Sequence, residues 1–309
     1  MKVSVLTYNI RGLPWVRDQS VAICDWICDQ KPPILCLQEV FRPRVLAYFK
    51  EKLEAVGYNV CLPKDDDVTL MKSGLLTACL RSEYDVLSSC FYPYLAFHNL
   101  EIFANKGFQT LTLRDRRCGR IFIITNTHMQ SDTEVTWFLG REGTYAVRKA
   151  QHQQIVDTLM AENNPVFLIG DLNIEHSPHS SVRYMTLPDE SRLQKSTFFS
   201  TGENLDHCAW FPLQWASALA TGPSCSFCDF NRRGPRMTKC QIYQVSLSDH
   251  APVLFTFVIP RLDDLRLVRK DTKQSVSVSG FADVLSDSAV SGVLTASASL
   301  PTHEKYGWS

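Results

Sequence analysis

Residues 166–173 read VFLIGDLN, an apolar run that ends in a glycine, an aspartate, a leucine and an asparagine. A short apolar run without polar alternation is typical of a strand that is covered on both faces. Asp171 and Asn173 follow this run directly, where a strand delivers side chains to the edge of its sheet. The stretch therefore predicts a buried strand with a polar end.

The same pattern recurs along the chain. The other strand-like runs are Val3–Tyr8, Ile34–Glu39, Leu75–Leu80, Phe108–Leu113, Ile121–Asn126 and Pro252–Val258. The amphipathic helix candidates between them are Asp18–Asp29, Pro43–Val56 and Thr144–Glu162. Strands and helices mixed in this order favour a layered α/β domain.

Polar residues stand at the ends of several runs. They are Asn9, Glu39, His128, Asp171 with Asn173, Asp206, and Asp249 with His250. Each one alone could be a turn residue or a cap. Together, acids, amides and two histidines at successive strand ends indicate one functional site. Hard oxygen ligands without clustered cysteines favour Mg²⁺ or Mn²⁺ over zinc.

The overall charge does not indicate a nucleic-acid binder. Lys and Arg number 32, as do Asp and Glu, so the formal net charge is zero. Affinity for a polyanion usually rests on a basic surface, so the balance disfavours a dedicated DNA enzyme. The N-terminus lacks the apolar core of a signal peptide, and no run is long enough to span a membrane. We therefore expect a cytoplasmic or peripheral membrane protein.

The cysteines predict thiols rather than a metal centre. The chain has 11 of them, an odd number, and several lie in strand-like runs. Cys225 and Cys228 form a C-x-x-C pair, but a zinc site needs a second close pair at suitable spacing. We expect reduced thiols.

The composition changes near Pro260. Residues 261–309 begin with a charged stretch and continue as a Ser-rich segment, which is too poor in large apolar residues to build a core of its own. We expect a catalytic domain over 1–260 and a flexible or lightly docked extension over 261–309 that the fold and its chemistry do not require.

The ordered motifs resemble the endonuclease/exonuclease/phosphatase superfamily. They are Tyr8-Asn9, Gln38-Glu39, Thr127-His128, Gly170-Asp171-Leu172-Asn173, Leu205-Asp206 and Ser248-Asp249-His250. The resemblance runs from about residue 2 to residue 258. It implies a four-layer α/β sandwich, in which two mixed β-sheets lie face to face and the helices lie outside.

The resemblance also implies a role for each motif residue in the hydrolysis of a phosphodiester. Glu39 would be the main Mg²⁺ ligand, with Asn9 and Asp249 near the metal. Asp171 and Asn173 would position the attacking water and the phosphate. His128 and His250 would contact the phosphate or move protons, and Asp206 would orient His250. Whether His250 or Asp171 is the base stays open.

Within the superfamily, the sphingomyelinase branch is the most similar. Deoxyribonucleases of this group place an acid around residues 75–80 to pair with the first histidine, and this chain has none there. Asn105-Lys106-Gly107, which would bind substrate, resembles a motif of sphingomyelinases and inositol phosphatases. The runs His128-Met129-Gln130-Ser131-Asp132 and Ala146-Val147-Arg148-x-x-Gln151 are similar to sphingomyelinase motifs.

We therefore expect a Mg²⁺-dependent phosphodiesterase that acts on a phosphocholine lipid. Trp137 and Phe138, in the loop after His128, would touch a membrane interface, where tryptophan is favoured; alternatively this loop tucks into the core. The other enzyme readings are a nuclease on DNA or RNA and an inositol polyphosphate phosphatase. A non-catalytic binding protein is the remaining class, but such a protein has no need of the full set of acids and histidines.

Overall fold

The computed structural model describes most of the region that carries the motifs. The described residues are 1–64, 71–98, 101, 103–132, 141–159, 162, 164–174, 205–211, 236–243, 245 and 247–259. They all belong to one compact unit, Met1–Arg266. The boundary expected at residue 260 and the nature of 261–309 remain predictions.

Strands and helices are mixed along the described chain. The strands are β1 (Lys2–Asn9), β2 (Ile34–Gln38), β3 (Tyr58–Cys61), β4 (Leu76–Leu80), β5 (Tyr84–Pro93), β6 (Gly107–Asp115), β7 (Ile121–His128), β8 (Val166–Asp171), β9 (Asp206–Phe211), β10 (Arg236–Ile242) and β11 (Val253–Val258). The helices are α1 (Ser20–Gln30), α2 (Pro43–Ala55) and α3 (Arg141–Leu159). The strands β3 to β7 follow one another between α2 and α3.

The strands form two mixed sheets. The first has six strands in the order β10-β11-β1-β2-β4-β3, and the second has five in the order β5-β6-β7-β8-β9. Each sheet contains one parallel pair, β1 with β2 and β7 with β8, joined in each case through a helix. Because parallel strands end at the same edge of a sheet, each pair brings two strand ends together.

The two sheets pack face to face through an apolar layer. This buried layer takes Val3, Val5 and Phe257 from the first sheet and Phe122 and Phe167 from the second, among other residues. The rings of Phe167 and Phe257 stack across the layer, with centroids 4.6 Å apart. The space between the sheets is therefore a packed core rather than a cavity.

Helices cover the outer faces. Ile23 of α1 and Phe49 of α2 pack on Leu35 and other residues of the first sheet. Ile155 of α3 packs with Leu168 on the second sheet. The prediction of a four-layer α/β sandwich is confirmed.

The strand and helix bounds agree with the sequence-based ones to within about three residues, but four strands were not predicted. These are β3, β5, β9 and β10. β5 lies at a sheet edge and reads YDVLSSCFYP, largely half-buried or exposed, so it lacks the continuous apolar run of a central strand. β3 is short and also lies at an edge.

None of the described helices is long and apolar enough to cross a membrane.

Candidate active site

The candidate site lies where the two parallel pairs end. Val5 and Ile124 belong to the layer between the sheets. Asn9 and His128 follow them at four residues' distance on the same strands, so the period of two in a strand places them on the same inner face. Asp171 follows Ile169 in the same way on β8. The inner face thus changes from apolar to polar at one end of the sandwich.

Asn9 joins the two sheets at this end. Its Nδ2 atom donates to Glu39 Oε1 at 2.9 Å and to Asp171 Oδ2 at 2.9 Å. Asn9 and Asp171 are almost fully buried. The amide therefore bridges two carboxylates that enter from different sheets.

Both histidines of the motifs lie beside this bridge. His128 Nε2 is 3.7 Å from Asp171 Oδ2 and 3.9 Å from Glu39 Oε1. His250 Nε2 is 3.6 Å from the same Asp171 oxygen. The structure thus brings together five of the residues singled out from the sequence in one buried cluster.

Lys106 supplies a buried positive charge to the cluster. Its Nζ lies 3.3 Å from His128 Nε2 and donates to the Met129 carbonyl at 3.0 Å. Glu101 Oε1 is 2.6 Å from the same Nζ, and the Lys106 side chain is only 7% exposed. Glu101 was not predicted from the sequence, because an acid five residues before the lysine has no strand-end signal. The neighbouring Asn105 is buried, and its N–H donates to the Met71 carbonyl at 3.1 Å.

Asp249 joins the cluster through the loop after β1. Its Oδ2 is 3.0 Å from Arg11 Nε, and Ser248 Oγ lies 3.2 Å from Asp249 Oδ1. Arg11 also donates its N–H to Asn9 Oδ1, and Ser248 donates its hydroxyl to the Asn9 carbonyl. Arg11 was not predicted, because a single arginine after a strand has no distinctive spacing.

Asn173 holds the loop that follows Asp171. Its N–H donates to Asp171 Oδ1 at 3.0 Å, and its Nδ2 donates to the Met129 carbonyl at 3.1 Å. Asn173 therefore fixes Asp171 from the side opposite Asn9 and also holds the chain just after His128.

Two of these residues have unusual backbone angles. Glu39 and Asn173 have positive φ values of 57° and 49°, a region that is costly for non-glycine residues and occurs often at functional sites. Between the strands, a Cβ on Gly170 would lie only 2.0 Å from the Thr127 carbonyl oxygen. The glycine before Asp171 is thus required for β7 and β8 to approach.

Burial sets the protonation of the central groups. Desolvation raises the pKa of Glu39, although the Asn9 hydrogen bond and the charges of His250 and Lys106 oppose this effect. Desolvation also holds the pKa of His128 well below its usual value, and Lys106 and His250 lower it further. His128 is therefore neutral near pH 7, and its Nε2 accepts a hydrogen bond from Lys106.

Glu39 fits a metal ligand. Among the residues that the structure describes, its buried Oε2 has no hydrogen-bond partner, and such an orphaned acceptor is explained by a cation. Within the described chain no group of three or more His, Cys, Asp or Glu side chains is already arranged to hold a metal ion. The assignment of Asn9, Glu39 and Asp249 as metal ligands remains a prediction.

Other predictions fall outside what the structure describes. The backbone register places Asp206 opposite Asp171 in the β8–β9 pair, but the Asp206 side chain lies outside the described residues. So do Trp137, Phe138 and the pair Cys225 and Cys228. The expected contact of Asp206 with His250 remains a prediction.

The two sphingomyelinase-like motifs, one beginning at His128 and one on α3, are hydrogen-bonded to each other. Arg148 donates to both carboxylate oxygens of Asp132, at 2.7 and 3.1 Å, and Gln151 Oε1 accepts from the Gln130 N–H at 2.9 Å. Thr144 also donates to Asp132. The helix thereby anchors the loop that begins at His128.

Comparisons with known proteins agree with this architecture. A model described as the Endonuclease/Exonuclease/phosphatase family matches residues 6–250. A comparison with curated protein sequences gives no match.

Several solved structures share the fold at low sequence identity. Sphingomyelinase C from Streptomyces griseocarneus has a TM-score of 0.59 at 18% identity, over 83% of this chain and 99% of that one. An endonuclease/exonuclease/phosphatase from Bacteroides vulgatus scores 0.61 at 18% identity, over 84% of this chain and 100% of that one. A beta toxin variant from Staphylococcus aureus with bound magnesium ions scores 0.59 at 13% identity, over 82% and 99%. Identities this low support the fold alone.

Proposed function

The chain belongs to the endonuclease/exonuclease/phosphatase family, whose members are metal-dependent hydrolases of phosphodiester bonds, and we propose that this member uses Mg²⁺ to hydrolyse a phosphocholine lipid. The observation that carries the proposal is the buried cluster at the shared end of the two sheets. There Asn9 bridges Glu39 and Asp171, and both histidines lie within 4 Å of a carboxylate oxygen.

Glu39 would hold the metal, with Asn9 and Asp249 beside it. Glu39 Oε2, which has no hydrogen-bond partner among the described residues, and the oxygen-rich donor set support a hard cation. The beta toxin that shares the fold binds magnesium. The chemistry that Mg²⁺ supplies when bound is charge stabilisation on the phosphoryl and leaving oxygens.

His250 and Asp171 would serve the attacking water. Asp171 accepts hydrogen bonds from Asn9 on one oxygen and from the Asn173 N–H on the other, so its carboxylate is held rigidly. His250 Nε2 lies 3.6 Å from one of its oxygens, so both groups can contact a single water that lies beside them. Either one takes the proton of that water, and Asn173 keeps Asp171 in place.

Lys106 and His128 would face the phosphate. Their contact gives the site a buried cation next to a neutral imidazole. Lys106, which also pairs with Glu101 at 2.6 Å, would act as a hydrogen-bond donor to a phosphate oxygen, and the positions of both groups are fixed before substrate arrives.

A lipid substrate is favoured over DNA by the surroundings of His128. Its Nδ1 is buried and has no hydrogen-bond partner among the described residues. The strand that carries an acid in deoxyribonucleases is here β4, which is apolar apart from Thr77 and fully buried. Within the described part of the chain, His128 Nδ1 therefore lacks the carboxylate partner expected of a deoxyribonuclease site.

Exposed apolar side chains on loops next to the site also favour a lipid surface. Leu95 is 83% exposed and Phe103 is 49% exposed. Leu95 lies three residues before His98, whose N–H donates to Gln130 Oε1 in the loop after His128. Phe103 lies three residues before Lys106. Burying apolar side chains at these positions in a bilayer would lower the free energy of the system.

Arg11 supports a second candidate, a substrate with more than one phosphate. Its side chain is 48% exposed beside Asp249, where the guanidinium could neutralise a further phosphate group of a nucleic acid or an inositol polyphosphate. The neutral net charge of the chain speaks for the smaller of these substrates.

A substrate panel tests the proposal. Purified protein with Mg²⁺ is given sphingomyelin vesicles, supercoiled DNA and inositol polyphosphates in parallel, with Glu39→Gln as the matched inactive control. We expect phosphocholine release from the vesicles. If plasmid is nicked or inositol polyphosphates are hydrolysed while vesicles stay intact, the lipid proposal is wrong. If no substrate is hydrolysed faster than by Glu39→Gln, the enzymatic proposal is wrong as well.

A further inference from the structure

A second polar layer lies directly beneath the candidate site, between the two sheets. Gln38 and Asn126 are fully buried there, two residues after Cys36 and Ile124 of the apolar layer between the sheets. A buried amide is costly unless every polar atom is paired. These two side chains therefore need an explanation beyond packing.

The two amides form a hydrogen-bonded bridge from one sheet to the other. Gln38 Nε2, from β2, donates to Asn126 Oδ1, from β7, at 2.8 Å. Asn126 Nδ2 in turn reaches back to the first sheet, with the Leu37 carbonyl at 3.1 Å, the Leu76 carbonyl at 3.2 Å and Thr77 Oγ1 at 3.1 Å. Thr7 Oγ1, on β1, lies 3.1 Å from Gln38 Nε2.

The bridge touches the strands that carry the site. Gln38 immediately precedes Glu39, and the parallel register pairs it with Asn9. Asn126 lies two residues before His128, on the same face of β7. Along the chain, Gln38 is thus one residue from Glu39 and Asn126 is two residues from His128. Asn9 is the cross-strand partner of Gln38.

We infer that Gln38 and Asn126 are positioning residues, which set the separation and register of the two sheets so that the halves of the active site meet. The site is divided between the sheets, so its internal distances depend on how far apart the sheets lie. Apolar contacts tolerate sliding, whereas hydrogen bonds fix both distance and direction. This inference rests on the proposed phosphodiesterase function.

The chain offers a matched control in Gln109. It is equally buried and also bridges the sheets, since its Oε1 accepts from Thr77 Oγ1 at 2.7 Å and its Nε2 donates to the Cys61 carbonyl at 3.1 Å. Its strand β6 and its partner strands β4 and β3 carry none of the carboxylates or histidines of the site. Gln109 shares Thr77 with Asn126, but its loss removes neither the bond between Gln38 and Asn126 nor the contact of Asn126 with Thr77. It should therefore cost stability without moving the catalytic groups.

The test compares Gln38→Met and Asn126→Leu with Gln109→Met. Each change removes a buried amide at similar volume, so all three should lower the midpoint temperature of thermal unfolding. We expect kcat for a soluble phosphodiester to fall about ten- to a hundredfold in the first two variants only, with KM changed by less than about threefold. The affinity for Mn²⁺ without substrate, measured by electron paramagnetic resonance, should be lower in Gln38→Met and unchanged in Gln109→Met.

A milder pair keeps the test decisive if these variants do not fold. Thr7→Val removes the hydroxyl next to Gln38, whereas Thr125→Val removes a buried hydroxyl that has no hydrogen-bond partner among the described residues. We expect kcat to fall in Thr7→Val and to stay unchanged in Thr125→Val. Equal kcat losses within each matched pair would overturn the inference, and so would no loss at all. A wild-type protein without activity would instead overturn the proposed function.

Discussion

Asn9 Nδ2 donates a 2.9 Å hydrogen bond to Asp171 Oδ2, although the two residues lie 162 positions apart and in different sheets. The bond exists because both strands end in the same place on the inner faces of the sandwich. It identifies the point where two separately built half-sites become one site.

Asn9 donates hydrogen bonds to two carboxylates, so replacing its amide by a carboxylate should change the stability of the protein. Asn9→Asp would set a third carboxylate against Glu39 and Asp171, and like charges at such distances repel strongly when buried. We expect a lower free energy of unfolding without metal, and a larger stabilisation by Mg²⁺ than in the wild type. Thermal unfolding with and without Mg²⁺ measures both. Asn59→Asp, on the half-buried edge strand β3, is the control, and an equal Mg²⁺ response in the two variants would contradict this assignment.

The buried neutral state of His128 predicts a pH dependence of stability. Its pKa is lowered in the folded protein, so the unfolded chain binds more protons under acid conditions. In metal-free protein the free energy of unfolding should therefore fall as the pH drops below about 6.5, by up to about 1.4 kcal/mol per pH unit from this group. Denaturant unfolding between pH 5 and pH 8 checks this. His128→Gln should flatten the slope, and an unchanged slope would show that His128 is not the source.

Much of this site could be predicted from the sequence, for a definite reason. Asn9, His128 and Asp171 each end a buried strand. In the sequence, an apolar run followed by a polar residue indicates such a strand end. Arg11 and Glu101 were missed because they lie on loops, whose contacts depend on tertiary packing rather than on a local pattern. The edge strands β3 and β5 were missed for a related reason, since half-exposed strands have no continuous apolar run. Gln38 stands in one of the motifs and Asn126 ends a strand-like run, but only the face-to-face sheets reveal that they meet.

The register of β9 leads to a prediction about Asp206. Because Asp206 is opposite Asp171 in the β8–β9 pair, and His250 lies next to Asp171, we expect an Asp206 carboxylate oxygen about 2.6–3.2 Å from a His250 ring nitrogen. A crystal structure would measure this distance directly. Asp206→Asn should lower kcat and shift the acidic limb of the pH–rate profile. Side chains that point apart by more than one bridging water would show that Asp206 has another role.

The lipid proposal predicts that apolar loop residues drive membrane binding. Trp137→Ala combined with Phe138→Ala should weaken sedimentation with sphingomyelin vesicles, because less apolar area reaches the bilayer. Phe103→Ala, at a half-exposed position near Lys106, should act in the same direction. Leu87→Ala, on the edge strand β5, is the control. All variants should hydrolyse a small soluble phosphodiester normally, and unchanged vesicle binding in the first two would contradict a role for these loops.

The central claim is that a metal held at Glu39 makes this cluster a phosphodiesterase. It is tested most directly by the turnover of bis(p-nitrophenyl) phosphate during a Mg²⁺ titration of the wild type and of Glu39→Gln, whose side chains are nearly equal in shape. We predict Mg²⁺-dependent turnover that EDTA abolishes in the wild type, and a rate at least about a hundredfold lower in Glu39→Gln. Full turnover of Glu39→Gln, or full turnover of the wild type in excess EDTA, would contradict it.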